Sequence, residues 1–128
     1  MMNISRSEVE APSRIRDQLA PLAVVIPNPA EVESYLGLDD NLVNVLPPVC
    51  AAMRQEFGRD AELSLELYKD PEIDDRYLTL YVRLHDYDRT VMDRIHAVSE
   101  QFNEQLEQTA GYLLLTTDFR LPRAVHGV

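Results

Sequence analysis

Two alternating runs in the middle of the chain constrain its fold more than any other feature. Leu63, Leu65 and Leu67 alternate with Glu62, Ser64, Glu66 and Tyr68. Leu78, Leu80, Val82 and Leu84 alternate with Tyr77, Thr79, Tyr81 and Arg83. A period of two sends successive side chains to opposite faces of a strand, so each run reads as a strand with a leucine face and a polar face. The segment between them, Asp70-Pro71-Glu72-Ile73-Asp74-Asp75, has the proline and aspartates of a turn. The two runs are therefore expected to form an antiparallel hairpin. A symmetric loop sets Lys69 opposite Arg76 and residue n opposite 145 minus n. Leu67 then meets Leu78, Leu65 meets Leu80 and Leu63 meets Val82 on one face. Tyr68 meets Tyr77, Ser64 meets Tyr81 and Glu62 meets Arg83 on the other. A slip of one residue would set leucines against polar side chains.

Helices are expected on both sides of the hairpin. Before it, Asn28 suits an N-cap, Pro29 the first helical position and Glu31 the third position of a capping box, with Val32, Tyr35 and Leu36 as the apolar face and Gly37 as the stop. A short helical turn over Asp39 to Leu46 follows. Pro47-Pro48 is expected to break it and to open a separate helix through Val49, Cys50, Met53 and Phe57. After the hairpin, Asp86 or Asp88 caps a helix in which Val91, Ile95, Val98, Phe102, Leu106 and Thr109 recur every three or four residues for five turns, and Gly111 ends it. Tyr112 to Phe119 is a final strand. Its consecutive Leu113, Leu114 and Leu115 predict a strand apolar on both faces and hence an interior position.

The expected fold class is α+β, in the order α-β-β-α-β, with helices packed on one face of a small mixed sheet that contains the hairpin. Leu22 to Ile26 reads as a short strand docked on this domain and stopped by Pro27. Residues 1–21 are expected as a tail, with a weak helical turn near Arg14 to Leu19. The domain spans residues 22–122, and residues 123–128 fray.

Charge narrows the partners. Twenty-two acidic residues face twelve basic ones, giving a net charge of −10. Such a chain repels a phosphate backbone, so nucleic acid is not an expected partner, whereas a basic protein is. No apolar run approaches the roughly 20 residues of a membrane span, and no membrane association is expected. The first twenty residues lack the apolar segment of a secretory leader, and Cys50 is the only cysteine, so the expected location is the cytoplasm.

Several clusters merit a chemical reading. The Asp70–Asp75 loop begins like an EF-hand, but position six is Asp75 in place of glycine and position twelve is Tyr81 in place of glutamate, so it reads as a solvated turn. The order helix–strand–strand–helix–strand is also that of a minimal nucleotidyltransferase core, in which Asp74, Asp75 and Asp118 would hold a metal. The Gly-Ser and Asp-x-Asp motifs of that core are missing, which leaves a likeness of order alone. His85, Asp86, Asp88 and His96 lack a matching ligand set. Cys50 lies on an apolar helix face, where a free cysteine is ordinarily core. With four glycines and no phosphate-cradling loop, no cofactor is expected.

The leading candidate site is instead the polar sheet face, with Tyr68, Tyr77 and Tyr81 as an aromatic patch bordered by Glu62, Glu66 and Arg83. Such a patch suits a protein partner or a homodimer, and it equally suits cross-strand bracing of the hairpin. The expected function is a non-enzymatic interaction module, antitoxin-like or adaptor-like, for a basic partner. The metal- and nucleotide-binding domain is the alternative.

The run from Glu62 to Arg83, together with Tyr112 to Arg120 and the helix start Pro29-Ala30-Glu31-Val32-Glu33, resembles a group of small bacterial proteins with no assigned activity. The likeness covers residues 24–120. It implies a compact bacterial domain and transfers no catalytic residue.

Overall fold

The computed structural model describes residues 15–37 and 39–123. Residues 15–19 are helical and lead into a 3-10 turn, Ala20–Leu22. There follow β1 (Val24–Val25), α1 (Pro29–Leu36), α2 (Asp40–Phe57), β2 (Glu62–Asp70), β3 (Asp75–Arg83), α3 (Val91–Gln101), α4 (Asn103–Glu107) and β4 (Leu113–Thr116). The strands form one mixed sheet in the order β1-β2-β3-β4, parallel at both margins and antiparallel in the centre. The fold is α+β, and the short strand before the first helix joins the sheet as β1.

The hairpin has the expected register throughout, from Glu62 opposite Arg83 to Asp70 opposite Asp75. Its loop is held by its own acids. Asp74 sits in the left-handed region at φ 55° and donates its N–H to the Asp70 carbonyl at 3.0 Å, while Asp70 Oδ1 accepts from Glu72 N at 2.9 Å. An aspartate tolerates that backbone and caps such a turn with its own side chain.

Leu63, Leu65, Leu78, Leu80 and Val82 are all fully buried on the leucine face, in one core with Leu42, Leu46, Val49 and Met53 of α2 and Val91, Ile95 and Val98 of α3. All the helices named lie on this face, so the polar face carries no helical layer among the described residues.

Four expectations need correction. Pro47-Pro48 does not break the chain, because α2 runs through both prolines. Each proline forfeits a backbone hydrogen bond, but Leu42, Val45, Leu46, Val49, Cys50 and Met53 make one buried stripe across the break. Burial of that continuous stripe outweighs a local penalty of about 3 kcal/mol for each proline. The five-turn helix is in fact two, interrupted at Phe102, whose φ of −114° and ψ of 15° leave the helical region. The last strand is shorter than expected and forms the sheet margin. Leu113 and Leu115 are buried, but Leu114 is half-exposed on the polar face beside Thr79. Residues 15–21 belong to the domain, because Ile15 and Leu19, one helical turn apart, are both in the core. Residues 1–14 and 124–128 of the expected tails lie outside the described residues.

Two polar side chains tie the connections together. Asp39 caps α2 by accepting from Leu42 N at 3.1 Å, and its other oxygen accepts from Gly111 N at 2.7 Å just before β4. Gly111 lies against Tyr35 so closely that an added Cβ would fall 2.8 Å from the Tyr35 hydroxyl oxygen. Arg54 donates to the carbonyls of Leu22, Ala23, Gly58 and Ala61, fastening the segment before β1 to the loop that enters β2.

Candidate functional site

The polar face divides into two ends, because alternate residues of three strands line up across it. Tyr68 of β2 stands opposite Tyr77 of β3, and Tyr112, just before β4, follows beside Tyr77. Toward the other end come Thr79, Tyr81 and Arg83 of β3 and Ser64 and Glu62 of β2.

The hairpin-tip end is aromatic. The Tyr68 and Tyr77 rings lie 5.0 Å apart and tilted, and Tyr112 meets Tyr77 edge-on at 5.5 Å. Tyr68 is 40% exposed and Tyr112 56%. Burial against its neighbours, then the nearby Tyr68 hydroxyl and the Asp75 carboxylate, raise the Tyr77 hydroxyl above the ordinary tyrosine range. Tyr112 was missed in the sequence. Its signal was the alternation Tyr112, Leu114, Thr116, which becomes meaningful only once β4 is paired with β3.

The opposite end is a buried ion-pair network. The Arg83 side chain is 4% exposed and that of Glu62 is 2%. Arg83 donates from Nη1 to Glu62 Oε2 at 2.8 Å, from Nη2 to Asp118 Oδ2 at 2.8 Å and to Glu66 Oε2 at 3.3 Å, and from Nε to Asp118 Oδ1 at 3.1 Å. Its plane also rests on the Tyr81 ring, 5.0 Å from the centroid. Hydrogen bonding to Asp118 raises the Arg83 pKa despite desolvation, with Glu62 adding to it. Partial burial pushes the Asp118 carboxyl up, but hydrogen bonds from Arg83 and from Arg120 N outweigh it and hold it below the usual carboxylate value.

A strap covers this end. Beyond β4 the chain turns at Phe119, with φ 60°, and returns across the sheet. Arg123 N donates to Glu62 Oε1 at 2.6 Å, and Arg123 Nη2 reaches Ser64 Oγ at 3.4 Å. Tyr87 fastens the strap by donating to the Arg120 carbonyl at 2.5 Å while accepting from Leu84 N at 2.9 Å.

The expected site is therefore split. Tyr68 is exposed, and Tyr77 beside it is half-buried. Tyr81 is half-buried under Arg83. Glu62 and Arg83 do not border an open patch, because they pair with each other beneath the strap. Glu66 is in between, accepting from Ser64 Oγ at 2.8 Å and from Arg83. The metal alternative does not find its geometry. Asp74 and Asp75 are exposed at the hairpin tip, whereas Asp118 pairs with Arg83, about 26 Å away along β3 at about 3.3 Å per residue. Two-metal chemistry needs carboxylates converging on one point, and among the described residues no three metal-ligating side chains do so.

The network's chemistry is neutralisation. Three carboxylates, Glu62, Glu66 and Asp118, meet Arg83 and Arg123 in charge-assisted contacts. Burial pushes the Cys50 thiol up to about 12, which keeps it protonated and unreactive. A cavity of about 510 Å³ lies between α1 and the hairpin, but its charged groups are largely engaged: Lys69 with Glu31, and Asp39 with Leu42 and Gly111. No described helix is long and apolar enough to cross a membrane.

Comparison with protein-family models, with curated proteins and with solved structures gives no match to this chain.

Proposed function

We propose that this chain is a non-enzymatic interaction module, of the adaptor or antitoxin kind, which contacts a basic protein through the tyrosine end of its sheet. The observation that carries this reading is the Tyr68–Tyr77–Tyr112 cluster, with Tyr68 and Tyr112 exposed on either side of a half-buried Tyr77, on a face without a helical layer among the described residues. Tyrosines offer large contact area at small entropic cost and a hydroxyl that tolerates water, which is why they concentrate at interfaces. The acids beside them, Asp70 and Asp75 on the same strands, together with the net charge of −10, favour a cationic partner. An Arg or Lys of that partner would find both a ring face and a nearby carboxylate.

The test is an affinity capture from the host organism at low and moderate salt, run in parallel with the Tyr68→Ala/Tyr112→Ala variant. The reading expects one stoichiometric basic protein, weakened by salt and lost from the variant. Equal capture by both proteins rejects the tyrosine end as the contact. Light scattering separates a further outcome, since a homodimer that dissociates in the same variant would mean the face is closed by a second copy.

A further inference from the structure

The two margins of the sheet are unequal. Strand β1 is two residues long and is followed closely by Pro27, features that blunt an edge. Strand β4 is four residues, Leu113–Thr116, and carries neither a charge nor a proline. Its pairing with β3 fixes which backbone groups are used. Leu78 N donates to the Tyr112 carbonyl at 2.9 Å, and Leu78 is the partner of Leu113 in a parallel ladder. In that pattern Tyr112 and Leu114 bond to β3, and the N–H and C=O of Leu113 and Leu115 point outward. No described strand pairs with them. A groove of about 390 Å³ runs beside this edge, between β4 and the α3–α4 pair. Its wall carries Glu100 and Glu107, its floor includes Leu106, and no described lysine or arginine lines it.

The geometry points to the outer edge of β4 as the seat of an extended, basic protein segment that adds a fifth strand to the sheet. This rests on the interaction-module reading and says how the partner is held. The outward groups of Leu113 and Leu115 supply the backbone bonds of strand addition. Residues of an added strand alternate in direction. One set enters the acidic groove near Glu100 and Glu107, and the other emerges on the polar face beside Leu114 and Tyr112, continuous with the tyrosine cluster. Charge selects the occupant. A second copy paired edge to edge would bring like-charged groove walls together between two chains of net charge −10, whereas a cationic strand is attracted to both sides.

The experiment uses the full chain and a synthetic peptide, acetyl-Lys-Val-Arg-Val-Lys-Val-Arg-Val-amide, followed by amide hydrogen exchange. Binding should slow exchange at Leu113 and Leu115 and weaken as salt rises. The same peptide methylated on alternate backbone nitrogens should lose this protection. Glu100→Gln and Glu107→Gln should each weaken binding about two- to five-fold, as exposed ion pairs do. Unchanged exchange at Leu113 and Leu115, or equal binding of the methylated peptide, overturns the edge site. So does protection that appears without peptide as protein concentration rises, which would assign the edge to a second copy. If peptide binding depends on Tyr68 and Tyr112 while the β4 amides stay unprotected, the edge site fails and the tyrosine-face reading survives.

Discussion

The two ends of the polar sheet face are built from the same alternating strands and differ in what closes them. At the Arg83 end, charged side chains that look like surface residues are buried, because the strap of residues 117–123 folds back and each charge finds an opposite one. At the Tyr77 end, rings that look like core residues stay accessible, because no described segment crosses them. Residue type alone would assign the roles the other way round. Closure by the chain itself decides which end is buried and which stays accessible.

The contrast is broken most forcefully at Arg83. Arg83→Met removes the cation and strands the Glu62 carboxylate, whose side chain is 2% exposed, with part of its compensation gone. Breaking a buried pair from one side costs about 3–5 kcal/mol. Urea unfolding should therefore show a large fall in midpoint, and a loss below about 1 kcal/mol would mean that the strap lifts and water reaches Glu62.

Asp118 gives a smaller effect with a pH signature. Its carboxyl is partly exposed and accepts from Arg83 and Arg120, so Asp118→Asn should cost about 1–2 kcal/mol at neutral pH. Its folded pKa is depressed below the ordinary aspartate value, so its contribution is complete above that value and fades as pH falls through the lower, folded one. The wild type should lose part of its stability below about pH 4 that the variant no longer has to lose. Parallel unfolding curves for the two proteins across that window would show that the pairing is not linked to folding.

How much of this was legible follows from how local each feature is. The hairpin register was readable because the leucine alternation and the turn residues lie within one stretch of chain and agree with each other. The tyrosine patch was partly readable, since Tyr68 and Tyr77 share a strand pair, but Tyr112 joins them only through the parallel pairing of β4. The burial of Glu62 and Arg83 was not readable. Alternation puts them on the polar face, and nothing in it announces that the chain reverses at Phe119 to cover them. Pro47-Pro48 is misleading for a related reason, because its local penalty is legible in the sequence and the tertiary burial of the stripe that spans it is not. Ile15 and Leu19 offered only two apolar positions in a polar stretch, too few to establish a period.

Between the two ends, Thr79 offers a test with the opposite sign. It lies on the polar face yet is 2% exposed, beside Leu114, and its Oγ1 finds no hydrogen-bond partner among the described residues. A buried hydroxyl without a partner carries a desolvation cost, and valine has nearly the same shape without it. Thr79→Val should raise stability by about 1 kcal/mol, read as a higher urea midpoint with unchanged slope. A loss instead would place an ordered water on that hydroxyl.

The smallest effect is expected where the contact surface is proposed. Tyr68→Ala and Tyr112→Ala remove rings that are already 40% and 56% exposed, and the cross-strand packing they give up is worth about 0.5–1 kcal/mol each. Thermal unfolding should therefore move little for either variant, while capture of the partner falls sharply. The order of effects is the informative result. If the tyrosine variants lose as much stability as Arg83→Met, the rings are bracing the hairpin, and both ends of the face serve the fold. If they lose little stability and all binding, the same two strands carry a closed structural end and an open recognition end.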